Sequence, residues 1–490
     1  MQLTIFDELY SKYKIEKPIR LIEFFAGYGS QALALKYLGI PFEHWKICEW
    51  AVKSIQAYKD IHFTNDDKDY SIGISRDYCI DWLFKLGISS NYNEPMTRQQ
   101  ISRLSTENLF KIRNNIFATN NLVNIQQVKG EDLEIVDTDK YDYILTYSFP
   151  CQDLSLAGKG KGMSDTSTRS GMLWEVERIL SECYELGTLP QILLMENVPQ
   201  VHGSDNVEDF NKWQLRLEEL GYKNYWQDLI ATDYGIPQTR NRCFMISILG
   251  NYSYTFPKPI PLKLKLKDML EDNVDEKFYL SDKQIYTLEH INYESSKLSN
   301  KLKITDTGLC QTLTTMSGGN LQPMIRVKNA TKKGYLEATD GDGIDISRRM
   351  KHHRGTVKKG KAQTLTTMGG ENNGVVINPL KGISGKSWQF EQQVYDENGS
   401  ARTLKASEGS GNIPKVVNNS LRIRKLTPRE CGRLMNVKDE DIDKIQLSDS
   451  AKYHIFGDSI CTNVLMAVFG ELLDIDWKTK LEEMLNGNTN

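Results

Sequence analysis

The chain has 490 residues, of which 39% are hydrophobic and 26% charged, and its formal net charge is −3. These values are ordinary for a globular protein of two or three domains, and the slight acidic balance argues against a uniformly basic nucleic-acid binder. No apolar run approaches the ~18 residues that span a bilayer, and the first residues lack the apolar core of a signal peptide, so we expect a cytoplasmic protein.

Apolar segments alternate with amphipathic ones through the first half of the chain, which predicts an α/β fold with a doubly wound, Rossmann-like parallel sheet. The interval 60–128 breaks this alternation with polar helical character, which indicates a helical insertion whose role the sequence does not reveal. The predicted strands are 20–25, 44–50, 141–149, 191–198 and 242–249, and the predicted helix after the first strand is 30–39.

The composition changes after the last of these strands, where prolines and Gly- and Asn-rich charged segments replace the alternating pattern. The alternation returns near the C-terminus. We therefore predict two domains: an α/β domain formed by 15–255 and 440–490, with the insertion within it, and a smaller, β-rich domain formed by 256–439.

Two features of the smaller domain suit a nucleic-acid backbone. Residues 321–364 carry 11 Lys and Arg against 4 Asp and Glu, although a solvated basic loop would show the same excess. An imperfect repeat at 310–320, 362–372 and 401–412 runs from a short β segment into a glycine turn, which is a good phosphate clamp or else a set of hairpin edges without function. The threonines of the three copies are Thr314, Thr366 and Thr403.

A glycine-rich loop follows the first predicted strand. Gly27, Gly29 and Ala32 have the spacing G-x-G-x-x-A and stand at the head of the predicted helix, where a backbone can approach a cofactor closely. Glu49 ends the second strand, where a carboxylate can accept both hydroxyls of a ribose, and Trp50 offers a face for adenine. Because nicotinamide and S-adenosylmethionine enzymes share this layout, the loop alone does not choose the cofactor.

Polar and reactive side chains follow the other strands of the first half. Cys151 comes directly after the third strand, and Glu196 stands near the end of the fourth. The carboxyl ends of parallel strands lie on one edge of a sheet, so we expect these groups to converge with the glycine loop. In the extended segment before the fifth strand, Gln238, Arg240 and Arg242 alternate onto one face. Each has a structural alternative, such as a buried thiol or a salt-bridged arginine, but their order predicts a catalytic crevice.

These motifs resemble those of the DNA (cytosine-5)-methyltransferase family, and the resemblance covers most of the chain. FFAGYGS resembles the S-adenosylmethionine loop, CEW the ribose and adenine contacts, and GEDL an acidic turn at the adenine. FPCQDLS resembles the nucleophile loop, MENVP the carboxylate strand and DYGIPQTRNR the arginine segment, while RKLTPRECGRLM and FGDSICTNV resemble the last two motifs. The last one departs at Asp458, where the family usually has asparagine, although an acceptor oxygen is retained.

The resemblance implies S-adenosylmethionine as the cofactor. No metal is expected, since the eight cysteines are scattered without a CxxC pair or a Cys/His cluster of zinc spacing. The implied cofactor contacts are Phe25, Gly27, Tyr28, Gly29, Glu49, Trp50, Asp132, Leu133, Pro150, Leu173, Asp458 and Ser459.

The implied activity is methyl transfer to C5 of a cytosine flipped out of a specific double-stranded DNA sequence, through a covalent bond between Cys151 and C6. Glu196 would engage N3 and the 4-amino group, Arg242 would hold O2, and Arg240 would orient the catalytic loop or Glu196. The Gly-rich loop after the cysteine would close over the DNA. The DNA contacts expected besides the repeat threonines are Gln152, Ser155, Lys159, Lys161 and Gln238.

The family resemblance also implies a role for the smaller domain and a setting for the enzyme. The smaller domain would recognise the target site, and the partners would be double-stranded DNA and a cognate restriction endonuclease acting separately in a bacterial or phage system, with no membrane. Three alternatives stay open from the residues: a nicotinamide oxidoreductase, an RNA cytosine-5 methyltransferase and a catalytically inactive DNA-binding relative. A nicotinamide oxidoreductase has no need of the thiol, the carboxylate and the paired arginines. An RNA methyltransferase has no need of a long recognition domain. A catalytically inactive relative would be expected to lack a catalytic group.

Overall fold

In a computed structural model, the chain divides by its internal contacts into two compact units, Met1–Lys263 with Gly432–Asn490, and Leu264–Cys431. The return to the larger unit comes earlier than the sequence suggested, because Gly432 already packs on Ile442: a Cβ at this glycine would lie 2.5 Å from the Ile442 side chain. The structure describes residues 11–150, 170–279, 325–328, 331, 335–338, 341–345, 356–362, 364, 373–377, 394–396, 415–417 and 422–487.

The larger unit is built on a six-stranded sheet with the strand order β2-β1-β3-β4-β6-β5. Its strands are β1 Ile19–Phe24, β2 Phe42–Cys48, β3 Asp142–Tyr147, β4 Ile192–Asn197, β5 Tyr222–Ile230 and β6 Asn241–Leu249. Every residue of β3 and β4 is buried, as expected for central strands covered on both faces, and this explains their nearly continuous apolar sequences.

The sheet is mixed, whereas the sequence predicts a parallel one. β1 to β4 pair in parallel, but β6 runs antiparallel to both of its neighbours, β4 and β5. The α/β, Rossmann-like fold class is confirmed, while the direction expected for β6 is wrong. As a result β6 begins, rather than ends, at the edge where the parallel strands terminate.

Helices cover both faces of this sheet. On one face a hydrophobic cluster packs Leu145 of β3 and Met195 of β4 against Leu180 and Trp213. The helices of the larger unit and its border are α1 Ser30–Leu38, α2 Val52–His62, α3 Arg76–Leu86, α4 Arg98–Ser102, α5 Thr106–Ala118, α6 Leu173–Leu186, α7 Val207–Glu219, α8 Pro428–Leu434, α9 Asp439–Lys444, α10 Asp449–Asp458, α11 Thr462–Leu472 and α12 Trp477–Gly487. α11 packs against α1, and its side chains are almost all buried.

The insertion carries α3, α4 and α5 and has a small core of its own. Each helix begins after a serine or threonine, Ser75, Thr97 and Ser105, whose side chain accepts a hydrogen bond from a backbone N–H of the first turn. Leu83 and Leu109 lie in a hydrophobic cluster that joins these helices to α2. The helical character predicted for this interval is therefore present in the structure.

One helical stretch of the described residues, Asp449–Leu472, is long and apolar enough to cross a membrane. Of its most apolar window, 89% is buried inside the protein. Packing against the rest of the larger unit accounts for this apolar character.

The smaller unit is β-rich in the part that the structure describes. Its principal sheet is antiparallel with the order β10-β9-β11-β14, and β7 and β8 form a separate antiparallel pair. The strands are β7 Ile325–Lys328, β8 Tyr335–Ala338, β9 Gly343–Asp345, β10 Val357–Lys358, β11 Asn373–Ile377, β12 Val394–Asp396, β13 Lys415–Val417 and β14 Arg422–Lys425.

Candidate active site at the carboxyl edge of the sheet

The loop between β1 and α1 has two glycines with left-handed backbone conformations, φ +56° at Gly27 and +81° at Gly29. A Cβ at Gly29 would lie 2.4 Å from His62 Nε2, so this position has no room for a side chain. A Cβ at Gly27 would have nothing within 4 Å. The loop thus packs tightly on one side and leaves open space in front of Gly27, next to the start of α1, where a ligand can approach the backbone.

Glu49 braces this loop from the end of β2. Its carboxylate accepts hydrogen bonds from Gly27 N at 3.0 Å and from Ala51 N at 2.7 Å. Burial raises the pKa of Glu49 to about 7, and the negative charge of Asp458 adds to the effect. The predicted acidic residue, Glu49, therefore lies beside the glycine loop. Because its carboxylate is buried and already accepts two hydrogen bonds, it accepts a further one only from a partner that enters the same buried site.

Glu196 and Arg242 form the central ion pair of the site. Arg242 Nε lies 3.0 Å from Glu196 Oε1, and both side chains are largely buried. Burial raises the pKa of Glu196, while the guanidinium groups of Arg242 and Arg240 oppose the rise. Burial thus outweighs the two cations, and Glu196 holds a proton more readily than an ordinary glutamate does, which suits a group that shares a proton with a substrate.

Arg240 lies behind this pair and holds the closing motif. It is buried and donates to Gly457 O at 3.1 Å and to Ser459 O at 2.6 Å. Burial, together with the neighbouring Arg242, lowers the pKa of Arg240 to about 10. These contacts make Arg240 a positioning residue for the turn that carries Asp458.

Gln238 does not lie where the sequence suggested. It is fully buried, and its amide donates to Leu434 O at 2.7 Å. The extended segment was expected to present Gln238 beside the arginines on an accessible face, but β6 begins only at Asn241 and α8 covers the residues before it. In this structure the side-chain amide of Gln238 is used inside the protein, and its contact with DNA stays a prediction.

Several predicted cofactor contacts have buried side chains. Tyr28 is fully buried and meets Phe456 edge-on, with 5.6 Å between the ring centroids. Leu133 and Leu173 belong to the core cluster under β3. The carboxylate of Asp132 accepts a hydrogen bond from Lys129 N within its own turn, at 2.8 Å. Because the side chains of Tyr28, Leu133 and Leu173 are buried, only their backbone atoms are left to contact a cofactor.

The remaining predicted cofactor residues differ in their exposure and contacts. Phe25 has φ +56° and its backbone N donates to Cys48 O at 2.8 Å, which ties the loop to β2. Trp50 and Pro150 are half-buried, and Asp458 is exposed at the end of α10. Ser459 is buried, and its hydroxyl donates to Ser30 Oγ at 3.2 Å.

The nucleophile and most predicted DNA contacts lie outside the described residues. The structure does describe the chain leading to them: Phe149 O accepts a hydrogen bond from Asn197 Nδ2 at 3.0 Å, which ties the end of β3 to the end of β4. Sequence reasoning missed this positioning role of Asn197, whose signal is its place next to Glu196. The undescribed predicted residues are Cys151, Gln152, Ser155, Lys159, Lys161, Thr314, Thr366 and Thr403.

One group among the described residues has donor atoms close enough to hold a metal ion. The donor atoms of His202, Asp228 and Cys243 lie within 4.8 Å of one another, and His202 Nε2 is 2.9 Å from Asp228 Oδ1. The group is invisible in the residue spacing because its members come from three separate elements. A His–Asp hydrogen bond already accounts for two of them, and the absence of a metal stays a prediction.

Comparison with known proteins relates this arrangement to one family. The sequence model of C-5 cytosine-specific DNA methylases matches residues 96–474. The type II methyltransferase M2.ScrFI of Lactococcus lactis is 38% identical over 54% of this chain and 71% of its own, and the orphan methyltransferase M.SssI of Spiroplasma monobiae is 36% identical over 58% and 72%. The solved Entamoeba histolytica methyltransferase EhMeth matches in fold, with a TM-score of 0.50, 14% identity and coverage of 94% and 99%.

Proposed function

Since the chain belongs to the C-5 cytosine-specific DNA methylase family and is thus a DNA methyltransferase, we propose that it methylates C5 of a cytosine flipped out of a specific double-stranded DNA sequence, through a covalent intermediate. The observation that carries the proposal is the buried ion pair of Glu196 and Arg242 at the carboxyl edge of the sheet. A carboxylate of raised pKa beside a guanidinium suits a pyrimidine ring, which offers both an acceptor and a donor to such a pair.

The residues around the glycine loop fit S-adenosylmethionine. Open space in front of Gly27 admits the ligand, and the carboxylates of Glu49 and Asp458 supply acceptors for its hydroxyl and amino groups. When bound, the cofactor supplies a methyl group on a sulfonium centre. The chain's part is to orient that centre toward the base and to exclude water from the crevice.

The nucleophile in the proposal is Cys151. Cytosine C5 is too weak a nucleophile to take a methyl group directly, so the Cys151 thiolate first adds to C6 and makes C5 enamine-like. A free thiol with a pKa of ~8.5 is only slightly ionised at neutral pH, so a cationic neighbour or a base has to stabilise the thiolate. Arg242 and Arg240 supply positive charge at this edge of the sheet.

Glu196 would support the addition from the other side of the ring. A proton held between its carboxyl group and N3 withdraws electrons from the ring as the sulfur attacks, and Arg242 holds O2. Once C5 carries the methyl group, a base removes the C5 proton and the electron pair expels the Cys151 thiolate, which restores the aromatic ring. None of this is possible within a stacked duplex, so the base has to be flipped out.

The proposal is tested with purified protein, labelled S-adenosylmethionine and duplex DNA of mixed sequence. Wild type should label cytosine C5, and Cys151→Ala should not. A duplex with 5-fluorocytosine provides a second readout, because fluorine cannot leave as the proton does and the protein–DNA adduct persists on a denaturing gel. Methyl transfer by Cys151→Ala would show that the thiol mechanism is wrong.

We also propose that the smaller unit selects the DNA site and that a restriction endonuclease of the same specificity acts separately. The β-rich structure of the smaller unit and its basic segment 321–364 support the role in site selection. Replacing residues 264–420 by a short linker should abolish the preference for one sequence while cofactor binding persists. An unchanged site preference would assign recognition to another part of the chain.

A further inference from the structure

The helical insertion flanks the end of β2 on both sides of the predicted ribose contact. On one side Val52 N donates to Ser89 O at 2.9 Å, and Ser89 N donates to Trp50 O at 2.7 Å. On the other side the Asn121 side chain accepts from Glu49 N at 3.0 Å and donates to Glu49 O at 2.9 Å. The insertion therefore holds the backbone of Glu49 and Trp50 directly, rather than projecting away from the site.

Tyr92 extends from this insertion toward α10. It follows Ser89 in a tight loop and has φ +64°, a conformation that tyrosine rarely adopts, so the surrounding contacts hold it there. Its ring stacks on His454, with 4.0 Å between the ring centroids and 12° between the planes. α10 carries His454 and ends at Asp458, so the stack joins the insertion to the closing motif.

The hydroxyl of Tyr92 is buried, and Glu49 and Asp458 are near enough for their charges to act on it. Burial, followed in effect by the charges of Glu49 and Asp458, raises the pKa of Tyr92, so the hydroxyl stays protonated at neutral pH. It is therefore a buried hydrogen-bond donor in the neighbourhood of the predicted ribose contact.

We propose that the insertion forms part of the cofactor site, with Tyr92 as a cofactor-binding residue whose hydroxyl engages the polar edge of S-adenosylmethionine that Glu49 faces. The inference rests on the proposed function, and it gives the insertion a role in binding. The ring of Tyr92 is held by its stack on His454, and its hydroxyl adds a hydrogen bond that Glu49, an acceptor when ionised, does not provide.

The test separates the ring from the hydroxyl and uses cofactor binding as its readout. S-adenosylhomocysteine binding is measured by calorimetry without DNA for wild type, Tyr92→Phe and Tyr92→Ala. Loss of one hydrogen bond predicts about fivefold weaker binding for Tyr92→Phe, and loss of the ring as well predicts more than about tenfold for Tyr92→Ala. The matched controls are Tyr78→Phe and Tyr78→Ala, at a tyrosine on α3 of the same insertion that is 55% exposed; both should bind as wild type does.

Thermal unfolding of each variant checks that it is folded. If Tyr92→Ala is unfolded, the cofactor affinity of Tyr92→Phe alone decides whether Tyr92 binds the cofactor. Wild-type affinity in Tyr92→Phe and in a folded Tyr92→Ala would overturn the role of the insertion and leave the proposed function intact. Failure of the wild-type protein to bind S-adenosylhomocysteine would instead overturn the proposed cofactor, and the inference with it.

Discussion

Arg242 Nε lies 3.0 Å from Glu196 Oε1, and the two residues reach each other across neighbouring strands that run in opposite directions. Glu196 stands near the end of β4, and Arg242 stands at the start of β6. A parallel β6 would have put its first residues at the far edge of the sheet. The reversed strand is thus what brings a carboxylate and a guanidinium together in the crevice.

Removing the charge of Glu196 should affect chemistry far more than cofactor binding. We expect Glu196→Gln to lower the rate of methyl transfer by about 10²–10⁴-fold, the usual contribution of a positioned acid or base. Because Glu196 and Arg242 act as a unit, the double variant with Arg242→Ala should be little worse than the poorer single variant. Single-turnover rates of methyl transfer, measured with saturating DNA, give the loss in each variant. If the loss in the double variant equals the product of the two single losses, the two residues do not act as a unit.

Arg240 should matter for stability. Arg240→Ala leaves the buried carbonyls of Gly457 and Ser459 without their guanidinium donor, so we expect a loss of about 2–4 kcal/mol in the free energy of unfolding. Urea denaturation measures it. The control is Arg98→Ala, which removes an exposed ion pair with Asp81 and should cost far less. Equal losses in the two variants would argue against the positioning role.

The two loop glycines should respond differently to alanine. Gly29→Ala would place a methyl group 2.4 Å from His62 Nε2 in addition to a strained backbone, so we expect marked destabilisation. Gly27→Ala meets no atom within 4 Å and should cost only ~1–2 kcal/mol of backbone strain, yet its methyl group would stand where the cofactor approaches. Thermal unfolding and S-adenosylhomocysteine calorimetry separate the effects; a stable, tight-binding Gly27→Ala variant would show that the cofactor lies elsewhere.

Glu23 should make stability depend on pH. It is fully buried in β1 and accepts hydrogen bonds from the Tyr58 hydroxyl and Ala32 N, and burial raises its pKa from 4.5 to about 7. The folded chain therefore binds this proton more tightly than the unfolded chain does. The resulting stabilisation is fully present below pH 4.5 and is lost as pH rises through 7.

Glu23→Gln should remove this dependence. Between pH 5 and pH 8 we expect the unfolding free energy of the variant to gain about 2.5 kcal/mol relative to wild type, from ~1.4 kcal/mol per pKa unit. Urea denaturation at several pH values measures the difference between the two proteins, so other titrating groups cancel. A constant difference across this range would show that the carboxyl is not protonated in the folded protein.

Gln238 offers a test of its structural assignment. Gln238→Ala removes the donor to Leu434 O, and we expect the free energy of unfolding to fall by about 1–3 kcal/mol. DNA affinity, measured well below the melting temperature, should stay at the wild-type value. A stable variant with weakened DNA binding would restore the contact that the sequence suggested.

The elements that could be read from the sequence are the ones whose burial shows locally. β1, β3 and β4 are rich in apolar residues because both of their faces are covered, and the glycine loop carries its own spacing. β5 escaped notice because it pairs only with β6 at the edge of the sheet, and most of its residues are half-buried or exposed. An edge strand of this kind has too weak an apolar pattern to stand out.

By itself the sequence determined the order of the motifs, the residue types at the strand ends and, through them, the family. Tertiary structure alone decided the direction of β6, the burial of Gln238 and Arg240 under a segment some 200 residues further along the chain, and the stacking of Tyr92 on His454. The physical reason is that spacing and periodicity report a residue's own element, whereas strand direction and long-range contacts depend on which distant segment covers it.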